Sequence, residues 1–416
     1  MNPIILSQAG SDRGTAYVTS SKIVRHGDRL YVGWLDAPPA LGNLASVRLA
    51  VCDAKSGEMQ RIFTLGRAYD NHCGPSLAME PDGRLHVVIG AHHNPFLHRW
   101  SDTPAEEGSW SEPVALGPYD TYPSLIADAD GNLHLVHRKM EDRWELWYRR
   151  KPRGKSWEPW VTMAVSPLPG YNHFYQSLSV GPGGALHLLF QYCYTDTGRS
   201  SDAKSRMVVH LRSGDGGATW FNEGSQCQFP LTVDTVKPIV RYPAGGISIS
   251  NHVVDENDQP WFFSILPDHP RGALFRRVGE DWTIVDTSAA FGKFNFTRSR
   301  ETSLSRDRAG RLHIAVGTNP DGGDATWYDL RHEIFHTVIG KDANVESCRQ
   351  ITKTDISACR WLPSLEQWSW ARPDESCATT PALIYTSGLN GARDGGNRNA
   401  LKTEIHLLPG LSDRPK

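Results

Sequence analysis

One short phrase, G-x-L-H followed by aliphatic residues, returns through this chain at a spacing near fifty residues, and this period constrains the fold more than any other feature. It reads GRLHVVIG (83–90), GNLHLVHR (131–138), GALHLLFQ (184–191) and GRLHIAVG (310–317), with glycines 48, 53 and 126 residues apart. The last gap spans two periods and holds a degenerate copy, DENDQPWFFSIL (255–266). HGDRLYVGWLD (26–36) and TTPALIYTSG (379–388) supply a first and a last. Each copy is a Gly/Asp turn leading into a short apolar strand. Another strand precedes it, as in PSLAMEP (75–81), PSLIADA (123–129) and QSLSVGP (176–182), and one rich in Trp, Tyr and Arg follows, as in ELWYRRK (145–151). This order predicts an all-β chain: a seven-bladed β-propeller with four antiparallel strands per blade, one domain over residues 1–416, the N-terminal segment helping to close the ring.

At 416 residues and 39% hydrophobic content the chain is long enough to bury a sizeable core. A formal net charge of −2 gives no general attraction to nucleic acid or anionic membrane, and no run of eighteen apolar residues predicts a membrane span. A monomer is expected. The start, MNPIILSQAGSDRG, lacks a basic region followed by a long apolar stretch. With Met1 as the native start the protein would be cytoplasmic, and with a leader removed it would be secreted or periplasmic. The seven cysteines are odd in number and form no C-x-x-C, so buried thiols are expected, the alternative being a bridge among Cys348, Cys359 and Cys377.

The repeat accounts for His86, His134, His187 and His313 as one structural strand position. Other polar residues stand out because of where the repeat puts them. In an antiparallel pair the start of one strand and the end of the next share an edge, and in a propeller these edges line a funnel. His72, Tyr122 and Tyr175 fall at first-strand starts, whereas His92 with His93, Arg138, and Tyr192 fall at second-strand ends. Three consecutive units thus direct His, Tyr and Arg at one mouth.

The phrases that carry these residues are DNHCGPSL (70–77), IGAHHNPFLHRW (89–100), DTYPSL (120–125) and LVHRKM (135–140). Here the chain resembles the propeller-fold polysaccharide lyases, the ulvan lyases and related rhamnosyl-glucuronate lyases, in which a D-N/D-H histidine is followed by a G-x-H-x-x-P histidine and by a Tyr and an Arg from the next blade. His72 and His92 are 20 apart, and Tyr122 and Arg138 are 16 apart, as in those families; the doublet leaves His93 as the alternative to His92. SGDGGATW (213–220) also resembles the Asp-box hairpin of sialidase-type propellers, which marks a fold and not an activity.

The resemblance implies β-elimination across a 4-linked uronic acid, glucuronate or iduronate, in a rhamnose-containing oligo- or polysaccharide, with an unsaturated product. Such chemistry needs a cation on the C6 carboxylate, a base for the C5 proton and an acid for the departing O4. Arg138 suits the carboxylate, since a guanidinium stays charged and binds both oxygens. His92 would add a hydrogen bond to it, and Tyr122 beside that cation would transfer a proton. His72, titrating near neutrality, would be its acid or base partner. His93, His173, Tyr175 and Tyr192 would contact substrate. No cofactor is required by this scheme, and a structural metal held by His and Cys of the later blades stays open without a ligand set.

Two motifs point elsewhere. His332–His336 spells H-E-x-x-H, a zinc signature that works only on a helix, but DATWYDLRHEIFHTVIG (324–340) has the composition of a strand. DADGN (128–132) lacks the later glutamate of a calcium loop and reads as a hairpin turn. A rhamnosidase-like glycoside hydrolase on the same propeller, or a non-catalytic carbohydrate-binding propeller, are the competing functions. Only a lyase creates a C4–C5 double bond that absorbs near-ultraviolet light.

Overall fold

A computed structural model describes residues 2–37, 44–140, 142–169, 172–294, 302–322, 329–377, 379–389 and 402–411. The expected all-β character is met: strands dominate, and the one α-helix among the described residues is the single turn Ser288–Phe291. No described helix is long and apolar enough to cross a membrane. All seven copies of the repeated phrase form strands: Arg29–Asp36, Leu85–Ile89, Leu133–Lys139, Leu186–Tyr194, Pro260–Leu266, Leu312–Thr318 and Leu383–Leu389. Each pairs antiparallel with the strand before it and the strand after it. The repeated glycines Gly83, Gly131, Gly184 and Gly310 have φ between 80° and 93°, a left-handed turn that favours glycine.

The structure also explains why a Ser-Leu pair recurs just before the phrase. The Ser76 hydroxyl accepts the amide of Leu125, Ser124 that of Leu178, Ser177 that of His252, and Ser303 that of Leu365. Asn251 plays the serine's part for Leu304. First strands of successive units are therefore stitched together in chain order, each side chain satisfying a buried backbone donor. The last is tied back to the first by Gln367 N–H to the Ile23 carbonyl and by the Arg25–Glu366 ion pair at 2.7 Å. The N-terminal strand Ile4–Ser7 pairs with Lys402–Leu408, so the first and last segments share a sheet. Cores lie between successive sheets, as in the cluster of Val136, Tyr148, Phe174, Leu188, Phe190 and Trp220.

Two sheets depart from separate four-stranded units. The sheet that begins with His173–Val180 has six strands, because Lys204–Ser213 pairs with both Phe221–Asn222 and Val240–Arg241. The 14-residue strand Val114–Ala127 pairs with His92–Ser101 through its first part and with Leu133–Lys139 through its last, giving a continuous seven-stranded sheet.

The repeated histidines are satisfied structurally. His187 and His313 each bond a carboxylate (Asp258, Asp307) through Nε2 and a second imidazole (His210, His336) through Nδ1. His86 does the same with Glu80 and His98, and His134 uses Asp128 and the Tyr148 hydroxyl. His336 lies on the strand Glu333–Ile339, while His332 Nδ1 bonds the Arg360 carbonyl, so the H-E-x-x-H residues are in extended chain with other partners. The Asp-box hairpin closes as Ser213 and Thr219 bond Asp215, and the Tyr148 hydroxyl occupies the place a Cβ on Gly217 would need. All seven cysteines are free thiols.

Candidate active site

Register brings His92, Tyr122 and Arg138 together, whereas His72, expected at a first-strand start, lies in the turn before the strand Ser76–Met79. On the seven-stranded sheet Thr121 is paired with His92 on one side and with Arg138 on the other, so His92, Thr121 and Arg138 lie in a row across three strands. Tyr122, next to Thr121, has φ 57°, and His93, next to His92, has φ 64°. Non-glycine residues with such backbones concentrate at functional sites, where the surroundings hold the strain. His92 opens the third strand of its unit and does not end the second, as the sequence suggested; the second strand stops at Ile89.

His72 and His92 stack with ring centroids 4.3 Å apart, and the His72 and Tyr122 rings are 6.4 Å apart. The Arg138 guanidinium lies 4.2 Å from the Tyr122 ring and 4.8 Å from the Trp144 ring. Arg138 is only 2% exposed, and among the described residues no carboxylate is paired with it. The His93 ring lies tilted against that of His92, centroids 4.3 Å apart, and meets Trp144 edge-on at 5.4 Å. Tyr175 sets its ring 6.3 Å from that of Tyr122 but is 1% exposed and part of a core cluster, so it backs the site and does not offer the surface expected of a substrate contact. His173 opens the same strand as Tyr175 and is half-buried.

Tyr192 is a correction. It was expected at the mouth, but it is 1% exposed, packs on Phe174 and Phe190, and donates its hydroxyl to the Leu231 carbonyl at 3.1 Å. Successive residues of a strand face opposite ways, and Gln191, not Tyr192, stands opposite Tyr175.

Three partners escaped the sequence reading. Asp70 accepts from the His72 amide at 2.8 Å and sits 2.5 Å from His92 Nδ1. Its place two residues before His72, a side-chain turn spacing, was the available signal. Arg13 and Tyr17 come from the N-terminal segment, outside the repeat. Arg13 Nη1 donates to the Tyr17 hydroxyl at 3.1 Å and contacts His72 Nε2, and the Tyr122 and Tyr17 hydroxyls are 3.3 Å apart.

Burial works against the charge of Asp70, but hydrogen bonds from His72 and His92 outweigh it and hold the carboxyl well below its ordinary range. Burial, reinforced by the Arg13 and His92 charges against the opposing pull of Asp70, lowers His72 to about 4. It is therefore neutral at pH 7, unlike the near-neutral titration expected. Burial and the neighbouring His92 and Arg138 lower His93 to about 4 as well. Burial pushes Tyr17 far up, keeping it a phenol. Asp70, His72 and His92 form the one group of three among the described residues with ligand atoms mutually within 4.8 Å. Their donor atoms would suit a divalent ion. Here Asp70 is engaged by both imidazoles and Arg13 covers the far nitrogen of His72, an arrangement that orients imidazoles.

The family model for BNR repeat-containing members matches residues 10–289. The chain belongs to the BNR repeat-containing family. Among relatives of this BNR protein, an ulvan lyase of Alteromonas sp. (strain LOR) is 20% identical over 351 residues, covering 74% of this chain. The chain spans 62% of that relative's length. The structure of a polysaccharide lyase family PL25 ulvan lyase aligns with a TM-score of 0.71 at 13% identity, over 98% of this chain and 96% of that one. The same values hold for the ulvan lyase bound to -[GlcA(1-4)Rha3S]-. Polysaccharide lyase Uly1 aligns with a TM-score of 0.59 at 12% identity, over 94% and 90% of the two chains. The resemblance to propeller polysaccharide lyases read from residues 70–140 is thus met in sequence and in fold.

Proposed function

We propose that this BNR protein is a lyase that breaks the 4-linkage to a uronic acid by β-elimination, in a rhamnose-containing glycan. The observation that carries the reading is Arg138: a buried guanidinium, with no carboxylate partner among the described residues, against the ring of a tyrosine. Leaving a charge buried without a partner costs several kcal/mol, roughly what an anionic ligand would return on binding. The uronate C6 carboxylate is the anion, and the GlcA-containing ligand of the PL25 relative supports this choice.

Arg138 neutralises the carboxylate and lets negative charge build on it as the C5–H bond breaks. Tyr122, in its ionised form, takes the C5 proton. The C5 electron pair forms the C4–C5 double bond, the C4–O4 bond breaks, and the Tyr122 hydroxyl returns the proton to O4. His92, oriented by Asp70, adds a hydrogen bond to the carboxylate, and His72, held neutral, flanks the ring. Every step uses side chains alone, with none routed through a metal. A glycoside hydrolase would need two working carboxylates, but beside this cluster, among the described residues, Asp70 is committed to imidazoles and the buried Asp12 to Asn71. The fold that holds the site we take to be seven four-stranded blades, with Val114–Ala127 serving as outer strand of one and inner strand of the next; the serine stitching between first strands supports this count.

The test is the near-ultraviolet absorbance of the conjugated unsaturated uronate, followed on a panel of uronic-acid glycans. Tyr122→Phe should lower product formation at least ~100-fold, the usual contribution of a positioned acid–base group, with KM within about threefold. Near-wild-type formation of the unsaturated product by Tyr122→Phe would overturn the mechanism.

A further inference from the structure

The N-terminal segment between Asp12 and Ser21 crosses from the last sheet to the middle of the chain. Trp361 Nε1 donates to the Asp12 carbonyl at 2.6 Å, and Thr15 Oγ1 donates to the Leu362 carbonyl at 2.7 Å. Asn71 bonds Asp12 at 2.8 Å, and at the far end Ser124 bonds the Thr19 carbonyl at 2.9 Å while Ser20 contacts the Pro123 carbonyl. Ser124 and Pro123 immediately follow Tyr122, and Asn71 immediately precedes His72. The segment is thus pinned to both halves of the site.

Between these pins stand Arg13 and Tyr17. Tyr17 has φ 67°, a left-handed conformation that strains a residue of its size. That backbone lays its ring against Tyr122, with centroids 4.2 Å apart. Tyr17 is 7% exposed while Tyr122 is half-buried, so Tyr17 stands behind Tyr122 as seen from solvent. Its hydroxyl lies 3.3 Å from that of Tyr122 and 3.1 Å from Arg13 Nη1, and Arg13 also reaches His72 Nε2.

We propose that Arg13 and Tyr17 are positioning residues of the active site: Tyr17 donates its hydroxyl proton to the Tyr122 oxygen when that oxygen is ionised, and Arg13 fixes both Tyr17 and the tautomer of His72. This rests on the lyase reading for Tyr122 and is independent of it for His72. A guanidinium only donates, so the nitrogen it meets must carry the lone pair. The proton of neutral His72 then sits on Nδ1, 3.4 Å from Asp70 Oδ1. In the resting site the Tyr122 hydroxyl donates to the Tyr17 oxygen at 3.3 Å; once Tyr122 is ionised that bond must reverse, and with Arg13 donating to the Tyr17 oxygen the Tyr17 O–H is left to turn toward the charge.

Two measurements test this on the full chain. Kinetically, Tyr17→Phe should lower kcat roughly 10–100-fold with KM within about twofold, a loss of one preorganised donor. The double variant Tyr17→Phe/Tyr122→Phe should be no slower than Tyr122→Phe alone, because Tyr17 acts only through Tyr122. Arg13→Lys should recover part of what Arg13→Met loses. An unchanged kcat in Tyr17→Phe, or losses that multiply in the double variant, would overturn the proposal. Spectroscopically, 15N NMR of histidine-labelled protein, with His72 assigned through His72→Gln, should show the Nδ1–H tautomer in the wild type and its loss in Arg13→Met. An Nε2–H tautomer or an imidazolium at pH 7 in the wild type would overturn it without reference to activity. If no uronate glycan yields an unsaturated product, the lyase reading fails while this arm still reports on Arg13.

Discussion

Replacing Arg138 with methionine separates what the guanidinium does for catalysis from what it does for the fold. The variant keeps an apolar stem between the Tyr122 and Trp144 rings and removes the charge. Its catalytic cost follows from two charge-assisted hydrogen bonds to a carboxylate, worth ~1.5–3 kcal/mol each. Losing both takes ~3–6 kcal/mol from transition-state stabilisation, a fall of roughly 10²–10⁴ in kcat/KM. The effect on stability runs the other way. The two ring contacts contribute ~0.5–2 kcal/mol each when desolvated, whereas a buried charge without a carboxylate costs several kcal/mol. The free variant should therefore melt at or above the wild-type temperature while losing almost all formation of unsaturated product. Scanning calorimetry beside the absorbance assay measures both. A melting temperature several degrees lower would make Arg138 a structural cation, and a kcat/KM within tenfold of wild type would remove it from the reaction; either result refutes the reasoning.

Tyr192→Phe should leave kcat and KM unchanged and lower unfolding free energy by ~1 kcal/mol, because only its buried hydrogen bond to the Leu231 carbonyl is lost; denaturant titration and kinetics decide it. Burial and the nearby His187 charge lower His252 to about 3, against an ordinary value of 6.5. Between pH 6.5 and 3 the unfolded chain thus binds a proton that the folded chain does not. Stability falls on acidification through this window, by up to ~1.4 kcal/mol per pH unit for such a group. Melting curves from pH 7 to 4 should show a steeper loss for wild type than for His252→Asn, and parallel curves would contradict the assignment.

Much of this architecture was legible because each unit repeats its own chemistry. Gly83, Gly131, Gly184 and Gly310 announce the same turn, and the leucine and histidine after each announce the same buried strand. His72, His92, Tyr122 and Arg138 were visible as departures from that repeat at comparable positions. Tyr192 was misplaced because nearness to a strand end says nothing about which face a side chain takes, and one residue decides between core and mouth. Arg13 and Tyr17 were not visible because their partners lie 59 and 105 residues away, brought near by the tertiary fold and not by any local pattern. The neutrality of His72 depends on burial and on Arg13, and neither is written beside it in the sequence.

The row His92–Thr121–Arg138 also works as a gauge. Adjacent strands keep a pitch of about 4.8 Å, so the backbones that carry the imidazole and the guanidinium are spaced by the sheet itself, at about 10 Å, and not by loops. Face-to-face sheets can slide against one another, but strands of one ladder cannot separate without breaking it. The distance between the two backbones is therefore as fixed as the hydrogen-bonded ladder that joins them. On the lyase reading, adaptation to a different sugar would have to come from outside the row, where the exposed Tyr69 and Tyr119 adjoin Asp70 and Asp120 in sequence, while the row keeps its measure.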